Sequence, residues 1–215
     1  MPVPKPTVTI EAQPFIPYVE ERDYPANLMP VLEPYRRRMG FVPNALKLYM
    51  HRPEIAETLW RLNSLIMRDK SSTLDQQLKR KLAAVACAIN GCSYCTAHSC
   101  SMLKKPTGLD GEEGWGFSDD EVAGIVAGTL PPADDFERVC FDYVRAASSD
   151  PTAVPEEILN RLAQNLTPAQ IVELACVVGF WKFYNTVHDS LHIPVESDLL
   201  RDTGYVRLAH ETAAK

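Results

Sequence analysis

The chain has 215 residues, 46% of them hydrophobic and 23% charged, and a net charge of −6. That is the profile of a globular protein able to bury a sizeable core, as one large domain or two small ones. The negative charge argues against nucleic acid as the main partner, because neutralising phosphates takes clustered Lys and Arg. The single basic run, Arg36-Arg37-Arg38, is short and reads as a solvated helix end. No apolar run approaches the roughly 20 residues that span a bilayer. Met1-Pro2-Val3-Pro4-Lys5-Pro6 lacks the apolar core of a signal peptide. A cytoplasmic location is therefore expected. Thiols stay reduced there, so six cysteines do not read as a disulfide framework.

Residues 1–34 hold Pro2, Pro4, Pro6, Pro14, Pro17, Pro25, Pro30 and Pro34. Each removes a backbone donor and fixes φ, which predicts an extended arm over 1–39. Its Ile10, Phe15, Ile16, Tyr18 and Leu28 predict docking on the body or on a neighbouring subunit. Gly40-Phe41-Val42-Pro43-Asn44 turns into a short helix over Ala45 to His51. Pro53 then opens a helix with Ile55, Leu59, Leu62 and Ile66 at helical spacing. The next helix begins near Thr73, and its wide apolar face (Leu78, Leu82, Val85, Ala86, Ile89) predicts a central, buried position. Asn90-Gly91 ends or kinks it just before Cys92.

Pro106 to Gly116 reads as a loop, closing a first helical segment over 40–116; a second spans 117–215. Ser118-Asp119-Asp120-Glu121 has capping-box form and opens a helix to Gly128. Pro131-Pro132 and Pro155 each precede another helix. Thr167-Pro168-Ala169-Gln170 is a second capping box, and its helix carries Ile171, Leu174, Val177, Val178, Trp181 and Tyr184 to about His188. No hairpin dipeptides separate alternating runs, so the fold class is all-α. Shifting the chain by 93 residues places Leu78 on Ile171, Arg80 on Glu173, Cys92 on Asn185 and Cys95 on His188. This weak repeat predicts two related helical half-domains with their polar clusters in equivalent places.

The stretch Asn90-Gly91-Cys92-Ser93-Tyr94-Cys95-Thr96-Ala97-His98-Ser99-Cys100 holds the chemistry. A C-x-x-C pair at a helix start brings two sulfurs one turn apart, close enough to form a disulfide. The helix N-terminus favours thiolate, and C-x-x-C thiols fall from roughly 8.5 to between about 3.5 and 7.5. One thiolate attacks a peroxide or disulfide and the second cysteine resolves the product. His98 lies within reach of Cys95 on the same helix as a proton relay. Zinc would need four converging ligands, and Cys92, Cys95, His98 and Cys100 are too tightly spaced on one helix to converge. Thr96 after Cys95 excludes a c-type haem site. Two inert buried cysteines remain an alternative, and Cys87, Cys140 and Cys176 read as small core residues.

At these residues the chain resembles the AhpD-like, or carboxymuconolactone decarboxylase, superfamily. The likeness rests on the helix Leu74 to Ile89 leading into Cys92-Ser93-Tyr94-Cys95-Thr96-Ala97-His98. It is supported by Gly40-Phe41-Val42-Pro43-Asn44, by His51-Arg52-Pro53-Glu54, and by Phe180 to Leu191 with Tyr184-Asn185 and His188-Asp189. It spans about residues 40 to 195. The resemblance implies an all-helical AhpD-like fold forming a homo-oligomer (dimer, trimer or hexamer). It also implies Cys95 as the attacking thiol, Cys92 as the resolving one, and a Glu–His relay. In the family pattern the glutamate falls at position 80, here Arg80, and the histidine at position 99, here Ser99. The repeat offers Glu173 and His188 as the missing base.

The expected activity is a thiol-dependent oxidoreductase acting on a hydroperoxide and regenerated by a dithiol reductant protein. Cys95, Cys92, His98, Glu173 and His188 are the candidate catalytic residues. Arg80, Tyr94, Trp181 and Asn185 are the candidate substrate contacts. Neither metal nor cofactor is expected. One alternative is a lyase or isomerase on a small organic acid, with His98 or His188 moving the proton and Arg80 holding a carboxylate. The other is a non-catalytic helical scaffold.

Overall fold

The structure, a computed structural model, describes residues 14–104 and 115–200. Helices follow in the order α1 Met29–Met39, α2 Asn44–Tyr49, α3 Pro53–Arg68, α4 Gln76–Asn90, α5 Ser93–Lys104, α6 Asp119–Ala127, α7 Asp135–Ser149, α8 Glu156–Asn165, α9 Pro168–Ser190 and α10 Ser197–Leu200. No strand occurs among the described residues, and the fold is all-α.

The centre is α4. The Asp75 carboxylate accepts the Leu78 amide at 3.0 Å, satisfying one of the N–H groups a helix start leaves open. From Leu82 to Ala88 every residue is buried, so this stretch is apolar on all sides and must sit among other helices. It packs against α5, α7 and α9. Lys79 meets Glu173, 94 residues later, and Asn90 meets Asn185, 95 residues later. Near-constant separation means that α4 and α9 run side by side in the same direction. Both expected capping boxes form, Ser118 with Glu121 on α6 and Thr167 with Gln170 on α9.

One buried cluster joins Leu82, Val122, Val139, Val144 and Val177, so segments 40–116 and 117–215 share a core. A second joins Leu28, Leu32, Leu48, Tyr49, Cys92, Cys95 and Ile193. Trp181 and Tyr184 pack against both. The second cluster docks the N-terminal segment, as its apolar residues predict, but 14–39 is not an extended arm. It forms two 3₁₀ turns, Glu21–Asp23 and Ala26–Leu28, followed by α1. The prolines allow this because Pro30 sits in the first turn, where a missing N–H costs nothing. Pro34 gives up one helical hydrogen bond but is buried. Ile10, most of the loop from Pro106 to Gly116, and the tail from 201 lie outside the described residues. Among the described residues no helix is long and apolar enough to cross a membrane.

Candidate active site

Gly91 has φ 79°, the left-handed conformation that suits glycine, and it ends α4. The chain restarts as α5 after Cys92. The Cys92 carbonyl accepts the Thr96 amide at 2.9 Å, and its sulfur accepts the Cys95 amide at 3.3 Å. A thiol thus does at this helix start what an oxygen does at an ordinary N-cap. All six cysteines are free thiols, and Cys92 and Cys95 are both buried.

One turn into α5, Cys95 Sγ lies 3.0 Å from Nδ1 of His188, near the end of α9. The other ring nitrogen, Nε2, lies 2.8 Å from the hydroxyl of Tyr49, at the end of α2. Three helices therefore converge on a Cys95–His188–Tyr49 line. Burial, with the neighbouring His98 charge, pushes His188 down to about 3, and the Glu196 charge only partly offsets this. Burial, with the Cys87 and Cys92 thiols beside it, pushes the Cys95 thiol well above its ordinary value. The resting pair is therefore a neutral thiol beside a neutral imidazole, the form in which His188 accepts a proton.

A second polar line runs behind the first. Tyr94 donates to Glu196 Oε1 at 2.9 Å and accepts the Ala45 amide at 3.1 Å. Glu196 Oε2 lies 2.7 Å from His98 Nε2, and Oε1 accepts the Asn44 amide at 2.5 Å. Burial works to raise Glu196. The His98 charge and these hydrogen bonds outweigh it and keep the carboxyl below its ordinary value, hence ionised. The Tyr94 ring lies 4.4 Å from His98 and meets His188 edge-on at 5.1 Å.

Behind Cys95, the Cys92 thiol feels the charge of Asp189, and partial burial holds the Asp189 carboxyl above the usual carboxylate range. A hydrogen bond with Cys95 draws Cys92 down, but burial, Asp189 and Cys87 leave it raised.

A cavity of about 100 Å³ opens on this centre and is lined by Cys95, His188, Tyr49, Tyr94, His98, Arg80 and Trp181, among others. Three of the sequence candidates do not line it. Cys92 lies behind Cys95. Asn185 faces the end of α4 instead, donating to Cys87 Sγ at 3.5 Å and accepting from Asn90 at 2.7 Å. Glu173 is fifteen residues before His188 on the same straight helix, roughly 22 Å away at 1.5 Å per residue. It accepts from Thr73 N at 2.9 Å, from the Ser72 hydroxyl, and from the buried Lys79 ammonium at 2.9 Å. Burial opposes ionisation there, but these donors and the Lys79 charge bring Glu173 down to about 2. It clamps the start of α4 to α9 and is not a base for the thiols. Sequence reasoning missed Tyr49 and Glu196. Neither stands in a motif, and each reaches the site over more than 90 residues. Among the described residues, no group of three His, Cys, Asp or Glu is arranged to hold a metal ion.

No family model matches the chain, and no curated protein matches it. Solved structures do. An uncharacterised peroxidase-related protein from Ralstonia eutropha, described as an alkylhydroperoxidase AhpD core, aligns with TM-score 0.72 and 16% identity over 88% of this chain and 96% of its own. The chain has the AhpD-like fold. A peroxidase-related protein from Silicibacter aligns with TM-score 0.68 and 21% identity over 81% of this chain and 87% of its own. The debrominase Bmp8, in complex with 2,3,4-tribromopyrrole, aligns with TM-score 0.72 and 18% identity over 88% and 95%. At these identities the likeness concerns the AhpD-like fold; chemistry must come from the residues of this chain.

Proposed function

We propose that this protein is a thiol-dependent oxidoreductase in which Cys95 attacks a hydroperoxide and Cys92 resolves the product. The observation that carries the reading is the 3.0 Å contact between Cys95 Sγ and His188 Nδ1 at the wall of a cavity. Cys92 lies one turn behind, out of that wall. This supports Cys95 as the attacking sulfur. The proton of Cys95 passes to His188 Nδ1 as sulfur bonds to the distal peroxide oxygen. The O–O bond breaks, the alkoxide takes the proton from His188 and leaves as the alcohol, and Cys95 becomes a sulfenic acid. Cys92 then attacks the Cys95 sulfur as its proton passes to the departing hydroxide. Water leaves as the disulfide forms. A dithiol reductant restores both thiols. One hydroperoxide and two thiols thus become an alcohol, water and a disulfide.

The test is peroxide consumption with dithiothreitol as reductant. Cys95→Ser should abolish it. Cys92→Ser should stop after one turnover with a sulfenic acid on Cys95 that dimedone traps. Unchanged turnover in Cys95→Ser would overturn the reading. A second reading, reductive dehalogenation, draws support from the aromatic cavity wall of Tyr35, Tyr49, Trp181 and Tyr184 and from the debrominase with this fold. The same dithiol supplies its two electrons: a carbon–halogen bond becomes carbon–hydrogen, halide leaves, and the thiols become a disulfide. Bromide release from small brominated heteroaromatics separates the two. Turnover of an organic acid with both thiols blocked would favour the lyase alternative instead.

A further inference from the structure

The outer face of α9 carries no charge. Between Val172 and Thr186 its exposed residues are Val172, Ala175, Cys176, Gly179, Phe183 and Thr186. They recur at steps of three and four and so form one stripe along the helix. Val172 is 64% exposed and Phe183 47%. The two charged residues of this stretch turn away from the stripe. Glu173 meets Lys79 at 2.9 Å, and Lys182 reaches across to the Ser148 carbonyl at 2.9 Å. On the inner side Leu174, Val177 and Val178 are buried. A helix that faces water carries charge on its outer face, whereas one that is apolar all round is covered.

Gly179 indicates how closely the cover approaches. Glycine weakens a helix interior, and here it lies in the middle of a 23-residue helix. A Cβ at this position would meet nothing within 4 Å, so no described neighbour in the chain requires its absence. Close approach of a second backbone does require it. Beside it, α9 and the end of α7 frame an open groove of about 570 Å³, lined by Tyr143, Ala147, Ala175, Gly179 and Phe183, among others.

We propose that this face binds a second copy of the chain, α9 against α9, antiparallel about a two-fold axis at Gly179. The stripe is self-complementary about that point, as a two-fold contact requires. Its N-terminal half is small at Ala175 and Cys176, and its C-terminal half carries Phe183. Two-fold rotation therefore seats each Phe183 on the small half of the other copy, and the two glycines meet at the crossing. Each chain has a net charge of −6, so two copies repel least where uncharged faces meet. The area also suffices. From Ala169 to Ser190, both exposed, the face is about 32 Å long at 1.5 Å per residue, and about 20 Å wide with α7 alongside. Two copies then cover on the order of 1,200 Å², the lower end of specific interfaces. No residue of the groove lines the cavity at Cys95, so dimer and thiol chemistry can fail separately.

The test is sedimentation velocity of the full-length protein from low to high micromolar concentration. The wild type should show a species with the mass of two chains. Phe183→Glu places two carboxylates in the seam and Gly179→Leu holds the helices apart. Each should weaken association about tenfold or more. Gly179→Leu should keep the circular dichroism of the wild type, because its side chain meets nothing in the single copy and leucine favours a helix. Leu65→Glu, on the outer face of α3 and 61% exposed, should leave the dimer intact. A larger assembly supports the proposal only if both variants halve its mass. A wild-type monomer throughout, a trimer, which a two-fold contact cannot build, or a dimer that survives both variants would overturn the proposal. So would a monomer that floats with neutral phosphatidylcholine vesicles, which would give the face to lipid.

Discussion

His188 gives the protein an acid-sensitive stability that can be worked out in advance. Its pKa falls from 6.5 in the unfolded chain to about 3 in the native state, chiefly through burial. A depressed histidine binds fewer protons folded than unfolded. Its full contribution is therefore present above 6.5 and is lost as pH falls from there toward 3. At pH 5 the unfolded imidazole is protonated and the native one is not. The native state should then lose ~2 kcal/mol relative to pH 7.5 from this residue alone. Urea unfolding of the wild type and of His188→Gln at both values isolates the term, because every other titrating group is common to both. The wild type should lose ~2 kcal/mol more than the variant between pH 7.5 and pH 5. Equal losses would show that His188 is not held neutral in the native state, and the thiol would then lack its proton acceptor. The same shift bears on activity: a fall in rate near pH 5 should track unfolding, not titration of His188 in the folded protein.

Tyr49→Phe leaves the buried Nε2 of His188 without its partner. It should cost about 1–3 kcal/mol by urea unfolding. It should also alter the rate at which iodoacetamide modifies Cys95, followed by mass spectrometry. Glu173→Gln removes the counter-charge of the Lys79 ammonium, which is 0% exposed and keeps only the neutral Ile66 carbonyl and Ser72 hydroxyl as other acceptors. It should cost about 3–5 kcal/mol while leaving the peroxide-dependent oxidation of Cys95 unchanged; a lost reaction with retained stability would return Glu173 to the chemistry. A Cβ at Gly91 meets nothing within 4 Å, so only its φ of 79° opposes substitution. Gly91→Ala should cost about 1–2 kcal/mol and Gly91→Asn clearly less, as melting curves would show.

What the chain discloses by itself is local. The two capping boxes are written in four residues each, and the buried face of α4 in its periodicity. The C-x-x-C is written in its position after Gly91. Tyr49 and Glu196 carry no such signature, because their roles exist only after α2 and the stretch beyond α9 fold back onto α5. The proline-rich start misleads for the opposite reason. Proline density reads as extended chain, yet the register of Pro30 and Pro34 within α1 is tolerable, and only packing of Leu28 and Leu32 shows that it is used. The 93-residue shift points to two possible bases. Helix length separates them, since the one helix that presents His188 to the thiol carries Glu173 to the opposite end.

That shift also accounts for where the thiol meets its acceptor. With α4 and α9 parallel, residues about 94 apart are neighbours, and Cys95 and His188, 93 apart, obey the same register. Yet α9 runs unbroken to Ser190 while its counterpart stops at Gly91 and restarts. The break gives Cys95 a helix N-terminus and leaves His188 at a helix C-terminus, so one end favours a thiolate and the other an imidazolium. Each end contributes ~0.5–1 kcal/mol. The descent of His188 from 6.5 to about 3 corresponds to roughly 5 kcal/mol against its charged form. Burial therefore wins at rest and keeps the pair neutral. The helix ends act only when the proton moves, and the proton can move only as the sulfur gains a bond.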